Sequence, residues 1–313
     1  MISDKSNINC NFEGGFKEIK DNNTINYKDI EGRNMLFKII FAFILIFFTK
    51  NKKYRKIISL IIVLLFIYII KKICDRPIRF LHMSSYLISN FTRTPPYLDL
   101  DEYFPNHSKF ESKENFDKIK KEVDNIFNFK DKLKLTKNTF DAKENNYIGG
   151  GNKQNDNEDG WRLYLVKSGT LFPAKNTMPY LTSMLKEYPE IHSCAVSILP
   201  GNKTIPIHVG YYKGVLRYQL AITVPKNREN VFICVNGIKY NWTEGQGVLF
   251  DDCYAHKVYN DTEEDRIVLY MDIERPSQNL FFKIFNKILI QVMQNIPSIK
   301  KEAKDTETLI NIS

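Results

Sequence analysis

The chain has 313 residues, 43% of them hydrophobic and 26% charged, with a formal charge of +9 at pH 7. That apolar content supports one or two packed domains and excludes an intrinsically disordered protein. The positive charge is spread along the chain without zinc-finger spacing, an RNP motif or a basic zipper, so no nucleic acid is expected as partner.

Residues 1–34 are polar, charged and aperiodic, and read as a disordered arm. Two apolar runs follow, 35–49 and 57–70, separated by the basic stretch 50–56. The second carries no charge and has basic residues on both sides, so residues 35–73 are expected to anchor the chain in a membrane through one or two segments. Basic residues crowd both ends of the second run (Lys52, Lys53, Arg55, then Lys71, Lys72, Arg76), so charge counting leaves open which side the rest occupies. Residues 74–160 form a connector and a helical support region. Within it Thr94-Pro95-Pro96 interrupts the chain, and 114–127 places Phe116, Ile119, Val123 and Phe127 on one helical face. The Gly- and Asn-rich stretch 149–160 reads as a solvated loop. Five cysteines without a CxxC pair predict neither a disulfide framework nor a structural zinc site.

From residue 161 the texture changes. Short β-rich runs at 193–199, 204–209, 216–224, 231–235, 238–242, 247–250 and 266–273 alternate with turn signals, and Asn236-Gly237 marks a hairpin. Such a pattern over 161–276 predicts a mainly β jelly roll, cupin-like, with flanking helices and the N-terminal membrane segments. Residues 277–313 form an amphipathic helix and a polar tail. Phe281, Phe285, Ile288, Val292 and Ile296 share one face, which is expected to pack on the barrel, with a place on the membrane surface as the alternative.

Two of the five histidines, His208 and His256, fall at barrel-strand positions, and Arg266 opens the next strand. Neutral imidazole suits Fe(II), and an arginine grips a carboxylate through two parallel hydrogen bonds. By themselves these residues are equally compatible with a hydrogen-bonded histidine near a strand end and a surface arginine. Asp251 and Asp252 read as a turn cap or as partners that orient a histidine, and Trp161 and Trp242 as core.

The surrounding motifs carry more. Ser197-Ile198-Leu199-Pro200-Gly201, Ile205-Pro206-Ile207-His208-Val209-Gly210, Leu216-Arg217, Phe250-Asp251-Asp252-Cys253-Tyr254-Ala255-His256, Arg266-Ile267-Val268-Leu269 and Asp272-Ile273-Glu274-Arg275-Pro276 follow one another in order. Together they resemble the aspartyl/asparaginyl β-hydroxylase family of Fe(II)- and 2-oxoglutarate-dependent dioxygenases. Outside this core, Thr94–Asp99 and Asn115–Ile119 are similar to its bacterial lipid A 2-hydroxylase branch. The resemblance implies a double-stranded β-helix, Fe(II) held by His208 and His256, and 2-oxoglutarate and O2 as co-substrates. It implies that Arg266 and Ser197 bind the distal carboxylate of 2-oxoglutarate. Arg217 would serve the proximal carboxylate or the substrate, and Gln219 would donate to that carboxylate where the family usually has His. The acid of the usual iron triad is replaced by Gly210, as in the aspartyl/asparaginyl hydroxylases themselves. The implied substrate is a protein Asp/Asn side chain or a lipid acyl chain. The alternative is a catalytically silent, membrane-tethered binding module.

Overall fold

Runs rich in Val, Ile, Leu and Tyr fold as strands because branched and aromatic side chains fit a pleated, half-buried surface. The computed structural model describes Cys10, residues 52–75, Leu81, Ser84, Ser85, Ile88, Thr92 and residues 94–127, 161–208, 210 and 212–295. The first apolar run, the 149–160 loop, the polar tail and all of the arm except Cys10 lie outside the described residues. The strands are β1 (Tyr97–Leu98), β2 (Arg162–Ser168), β3 (Ile191–Leu199), β4 (Lys203–His208), β5 (Val215–Thr223), β6 (Val231–Val235), β7 (Ile238–Tyr240), β8 (Gly247–Phe250), β9 (His256–Asn260) and β10 (Arg266–Glu274). The helices are α1 (Lys52–Asp75), α2 (Leu100–Tyr103), α3 (His107–Glu111), α4 (Lys113–Phe127), α5 (Pro179–Glu187) and α6 (Leu280–Gln294).

The strands form two antiparallel sheets, one ordered β1-β8-β5-β10-β3-β2 and the other β4-β9-β6-β7. From β3 onward the chain crosses repeatedly between them, which is the jelly-roll arrangement expected. The β6–β7 hairpin turns at Asn236 and Gly237, both with positive φ (50° and 80°), as a two-residue turn matched to strand twist requires.

Alternation along the strands of the larger sheet sorts their side chains into two layers. Val196, Ile198, Leu216, Tyr218, Leu220, Ile267, Leu269 and Met271 face a core shared with the helices, against Phe104, Phe110, Ile119, Leu181 and Leu185. The other parity points between the sheets, where Leu199, Ala221, Phe250 and Val268 meet Ile205, Val231, Ile233 and Val258 of the smaller sheet around Trp242. Of the expected face of α4, Phe116, Ile119 and Val123 are buried, joined by Ile126. Each such side chain contributes about 1.5–3 kcal/mol on leaving water. Helix α4 also serves α5, whose first turn lacks a side-chain cap of its own: the Glu122 carboxylate accepts from the amides of Tyr180 (2.7 Å) and Leu181 (3.0 Å).

One expectation is left unsupported and two need correction. No helix among the described residues is long and apolar enough to cross a membrane. Helix α1 has 24 residues, but its uncharged stretch, 57–70, covers only about 21 Å at 1.5 Å per residue, against a hydrocarbon layer of about 30 Å. Second, Cys10 and Cys234 form a disulfide across 224 residues, which spacing between neighbouring cysteines does not reveal. Third, α6 buries Phe282, Leu289 and Ile290 against Leu81, Ile88, Tyr212 and Val215. Of the described residues on the face expected to pack, only Phe285 is partly buried, while Phe281, Ile288 and Val292 are exposed; Ile296 lies outside the described residues. The helix is apolar on two sides, and a polar anchor selects one of them: Asn286 accepts from the Tyr212 hydroxyl (2.5 Å) and donates to the Gly214 carbonyl (2.9 Å).

Candidate active site

His208 ends β4 and His256 opens β9, and the two are directly paired across the smaller sheet. Their ring centroids lie 4.0 Å apart with planes inclined by 54°. His256 is buried, and its Nδ1 donates to the Tyr254 carbonyl at 2.8 Å, which leaves the Nε2 lone pair free to act as a ligand. Burial, reinforced by the neighbouring His208, pushes the His256 pKa well below the usual range, so the imidazole stays neutral.

Gly210 follows two residues after His208. Its amide donates to the Asp252 carbonyl at 2.6 Å, and a Cβ built there would overlap the Asp252 carboxylate. The acid absent at position 210 is thus matched by one arriving from the turn before β9. Burial raises the Asp252 pKa to about 6; Asp272 and Asp251 add to the rise, and Arg217 opposes it. We expect Gly210→Ala to destabilise the fold by about 1–3 kcal/mol, as overpacking does. The same change in an Asp252→Ala background is expected to be near neutral in thermal unfolding; equal losses in both backgrounds would refute the clash.

Across the barrel, Ser197 on β3, Arg217 and Gln219 on β5 and Arg266 on β10 share the inward parity, and register places Ser197 opposite Val268 and Arg266 opposite Leu199. The Ser197 hydroxyl accepts from Trp161 Nε1 at 2.8 Å, which leaves its own proton to donate. Arg217 is already matched: Nε and Nη2 meet Asp272 at 2.9 and 2.8 Å, and Nη2 lies 3.3 Å from Asp252. Burial alone would favour its neutral form, but these two carboxylates outweigh that and hold it charged. Gln219 is buried with its Oε1 unpartnered among the described residues.

Arg266 differs from Arg217. It is buried, its guanidinium sits 5.0 Å from the centre of the Trp242 ring, and neither Nε nor Nη2 has a hydrogen-bond partner among the described residues. Burial lowers its pKa to about 9, so it remains a cation at neutral pH. A buried, charged fork with two nitrogens lacking an acceptor among the described residues fits a carboxylate ligand. The two imidazoles likewise fit an Fe(II) centre by donor type.

The turn that carries Asp252 is fixed from outside by a buried network. The Asp251 carboxylate meets Lys213 Nζ, Arg275 Nη2 (2.8 Å) and the Thr94 hydroxyl (2.8 Å). Burial would raise the Asp251 pKa, but Arg275 and Lys213 hold it below the usual carboxylate range. Its contribution to stability is therefore complete at neutral pH and is lost as pH falls through the depressed value. Arg275→Met is expected to cost about 1.5–3 kcal/mol, because it removes charge-assisted hydrogen bonds while Lys213 still matches Asp251. A change under about 1 kcal/mol in denaturant unfolding would show the network to be solvated instead.

The sequence profile of the aspartyl/asparaginyl beta-hydroxylase family matches residues 113–276, more than half of the chain. The chain belongs to that family. The span matched to the aspartyl/asparaginyl beta-hydroxylases runs from the start of α4 to just past β10, so it takes in both histidines and all four inward polar residues. Among curated relatives, an ornithine lipid ester-linked acyl 2-hydroxylase of Rhizobium tropici is 34% identical over 98 residues, 31% of this chain and 35% of that protein. The human aspartyl/asparaginyl beta-hydroxylase is 31% identical over 104 residues, 31% of this chain and 13% of that protein. The chain thus spans about a third of the first relative and less of the second. Among solved structures, a Pseudomonas putida prolyl-4-hydroxylase overlaps with a TM-score of 0.29 at 15% identity, covering 37% of this chain and 70% of that one, too slight to carry an argument.

The sequence places Trp161 in the core and gives Asp252 the role of a turn cap or of a partner that orients a histidine. The first donates to Ser197, and the second fills the space beside Gly210. The adjacent acids Asp251-Asp252 and the distant Arg275 were the available signal, but which acid turns inward depends on the turn geometry.

Proposed function

We propose that the chain is an Fe(II)- and 2-oxoglutarate-dependent hydroxylase acting on an unactivated C–H bond. The observation that carries this reading is a buried arginine, Arg266, whose Nε and Nη2 have no partner among the described residues, in a barrel whose other sheet pairs His208 with His256. In this proposal His208 and His256 hold the iron. Arg266 and the free Ser197 proton bind the far carboxylate of 2-oxoglutarate, and Gln219 donates to its near end. Arg217, already bound to Asp272 and Asp252, positions the Asp252 turn and contributes positive charge near the substrate. Bound iron would supply the redox centre that couples oxidative decarboxylation of 2-oxoglutarate to transfer of one oxygen atom of O2 to the substrate. Trp242 and the apolar residues between the sheets keep water from the carboxylate anchor.

The named relatives motivate two substrate classes, a lipid acyl chain and an Asp or Asn side chain. Exposed apolar residues on α1 and α6 favour the acyl chain and a place at a membrane, on a side that charge counting leaves open. The test combines anaerobic Fe(II) and 2-oxoglutarate binding with succinate release on adding O2, in the presence of acyl lipid or of Asp/Asn peptide. Co-substrate binding with lipid-stimulated succinate and a hydroxylated acyl chain is the expected result. Binding without any succinate would instead identify a catalytically silent, membrane-tethered module.

A further inference from the structure

Helix α6 has two apolar faces, and among the described residues only one of them is covered. Leu280, Phe281, Ile284, Ile288 and Val292 are between 41% and 73% exposed, and on a helical projection they lie roughly opposite the buried Phe282, Leu289 and Ile290. Phe281 and Phe285 stack with centroids 6.2 Å apart, which makes a flat aromatic start to the stripe. A stripe of this length has a reason in a soluble setting only if something covers it.

Charge indicates what that is. The helix LFFKIFNKILIQVMQ contains no acidic residue, and its two lysines, Lys283 and Lys287, are exposed and border one edge of the stripe. Two copies of the chain meeting stripe to stripe would bring four lysines together without an acid on either helix. An anionic lipid surface instead accepts the apolar residues in its acyl region and the lysine head groups at its phosphates. At 15 residues the helix is about 22 Å long, too short to cross and suited to lying in the plane of the surface.

The connection to the site is direct. Asn286, on the buried side of α6, bonds Tyr212 and the Gly214 carbonyl. That loop joins His208 at the end of β4 to β5, which carries Arg217 and Gln219. Leu81 and Ile88 pack on the same buried side of α6, beside Tyr212 and Val215.

We propose that the Leu280–Val292 stripe of α6, bordered by Lys283 and Lys287, docks in plane on an anionic bilayer and sets the barrel one loop away from its acyl chains. This deepens the lipid reading above and rests on it for the choice of occupant.

The full-length chain tests it. Cys194 and Cys253 are buried and Cys10 is paired with Cys234, so in a Cys74→Ser background a single introduced cysteine takes an environment-sensitive fluorophore. Ile284→Cys and Ile288→Cys report on the stripe, and Glu229→Cys on an exposed turn serves as the control. On vesicles containing phosphatidylglycerol, the probes at 284 and 288 are expected to shift to the blue, lose iodide quenching and gain quenching by acyl-chain nitroxides. The probe at 229 should do none of these. Probes at 284 and 288 that stay open to iodide on vesicle-bound protein would overturn the proposal. So would a blue shift without vesicles, whether it grows with protein concentration, as for a second copy, or not, as for a covering segment of the same chain. None of these readings needs iron or turnover, so a failed hydroxylation assay and a failed docking assay remain distinct.

Discussion

Replacing either His208 or His256 with alanine is expected to abolish tight Fe(II) binding and turnover while the barrel stays folded. In the proposed centre each imidazole is one of only two protein ligands, and even an outer partner of a ligand is worth about 10- to 100-fold in metal affinity or activity. Loss of a direct ligand should exceed that range. The effect on folding is smaller, because His208 is only half-buried and the β4–β9 pairing is made by backbone atoms. The measurements are anaerobic iron titration, succinate release and thermal unfolding on the same preparations. Near-normal succinate formation by either variant would remove both histidines from the proposed centre.

The second large effect belongs to Arg266, and it should have opposite signs for function and stability. Arg266→Ala and Arg266→Met are expected to raise the 2-oxoglutarate requirement by about 10- to 150-fold, the loss of a charge-assisted pair worth roughly 1.5–3 kcal/mol. Arg266→Lys should recover only part of this, since an ammonium cannot reproduce the two-pronged contact. Without co-substrate, however, the fold holds a buried cation whose Nε and Nη2 have no acceptor among the described residues. Arg266→Met removes that burden at similar volume and should raise the ligand-free unfolding midpoint, by about 1 kcal/mol or more. Added 2-oxoglutarate should stabilise the wild type and leave the Met variant unchanged. A Met variant less stable than the ligand-free wild type would mean that Arg266 is a structural cation stacked on Trp242 rather than a carboxylate anchor.

Much of the barrel is legible in the sequence where hydrophobic pattern and turn chemistry agree. The runs 231–235 and 247–250 appear with the expected bounds, and the Asn236-Gly237 hairpin forms. Strand β9 is harder to see, because its inward residues include His256 and the buried Asn260, whose amide donates to the carbonyls of Leu199, Pro200 and Glu264. A strand whose buried side is polar has no apolar alternation to read. β2 escapes for a similar reason, with buried Arg162 and Lys167 in its seven residues. The candidate site residues were named from motifs, since nothing in strand periodicity separates Arg266 from Arg217. What separates them is long-range: Asp252 and Asp272 converge on one guanidinium and on no part of the other that is described. The face of α6 was unreadable because both sides are apolar and the choice rests on one asparagine.

The inward residues of β10 recur at every second position, with Arg266, Val268, Tyr270 and Asp272 on one side and Ile267, Leu269, Met271 and Ile273 on the other. Insertions and deletions are therefore tolerated very unequally along this stretch. Removing one residue between Arg266 and Asp272 would turn either the carboxylate anchor or the partner of Arg217 toward the helices, and would bring an aliphatic side chain into the barrel. A change of length in the turn at 261–263, by contrast, alters the parity of no strand, although the Thr262 and Glu263 carbonyls there close on Gly201. Variation in length among natural or engineered versions of this barrel should gather in such turns, and the β10 segment should evolve by substitution alone.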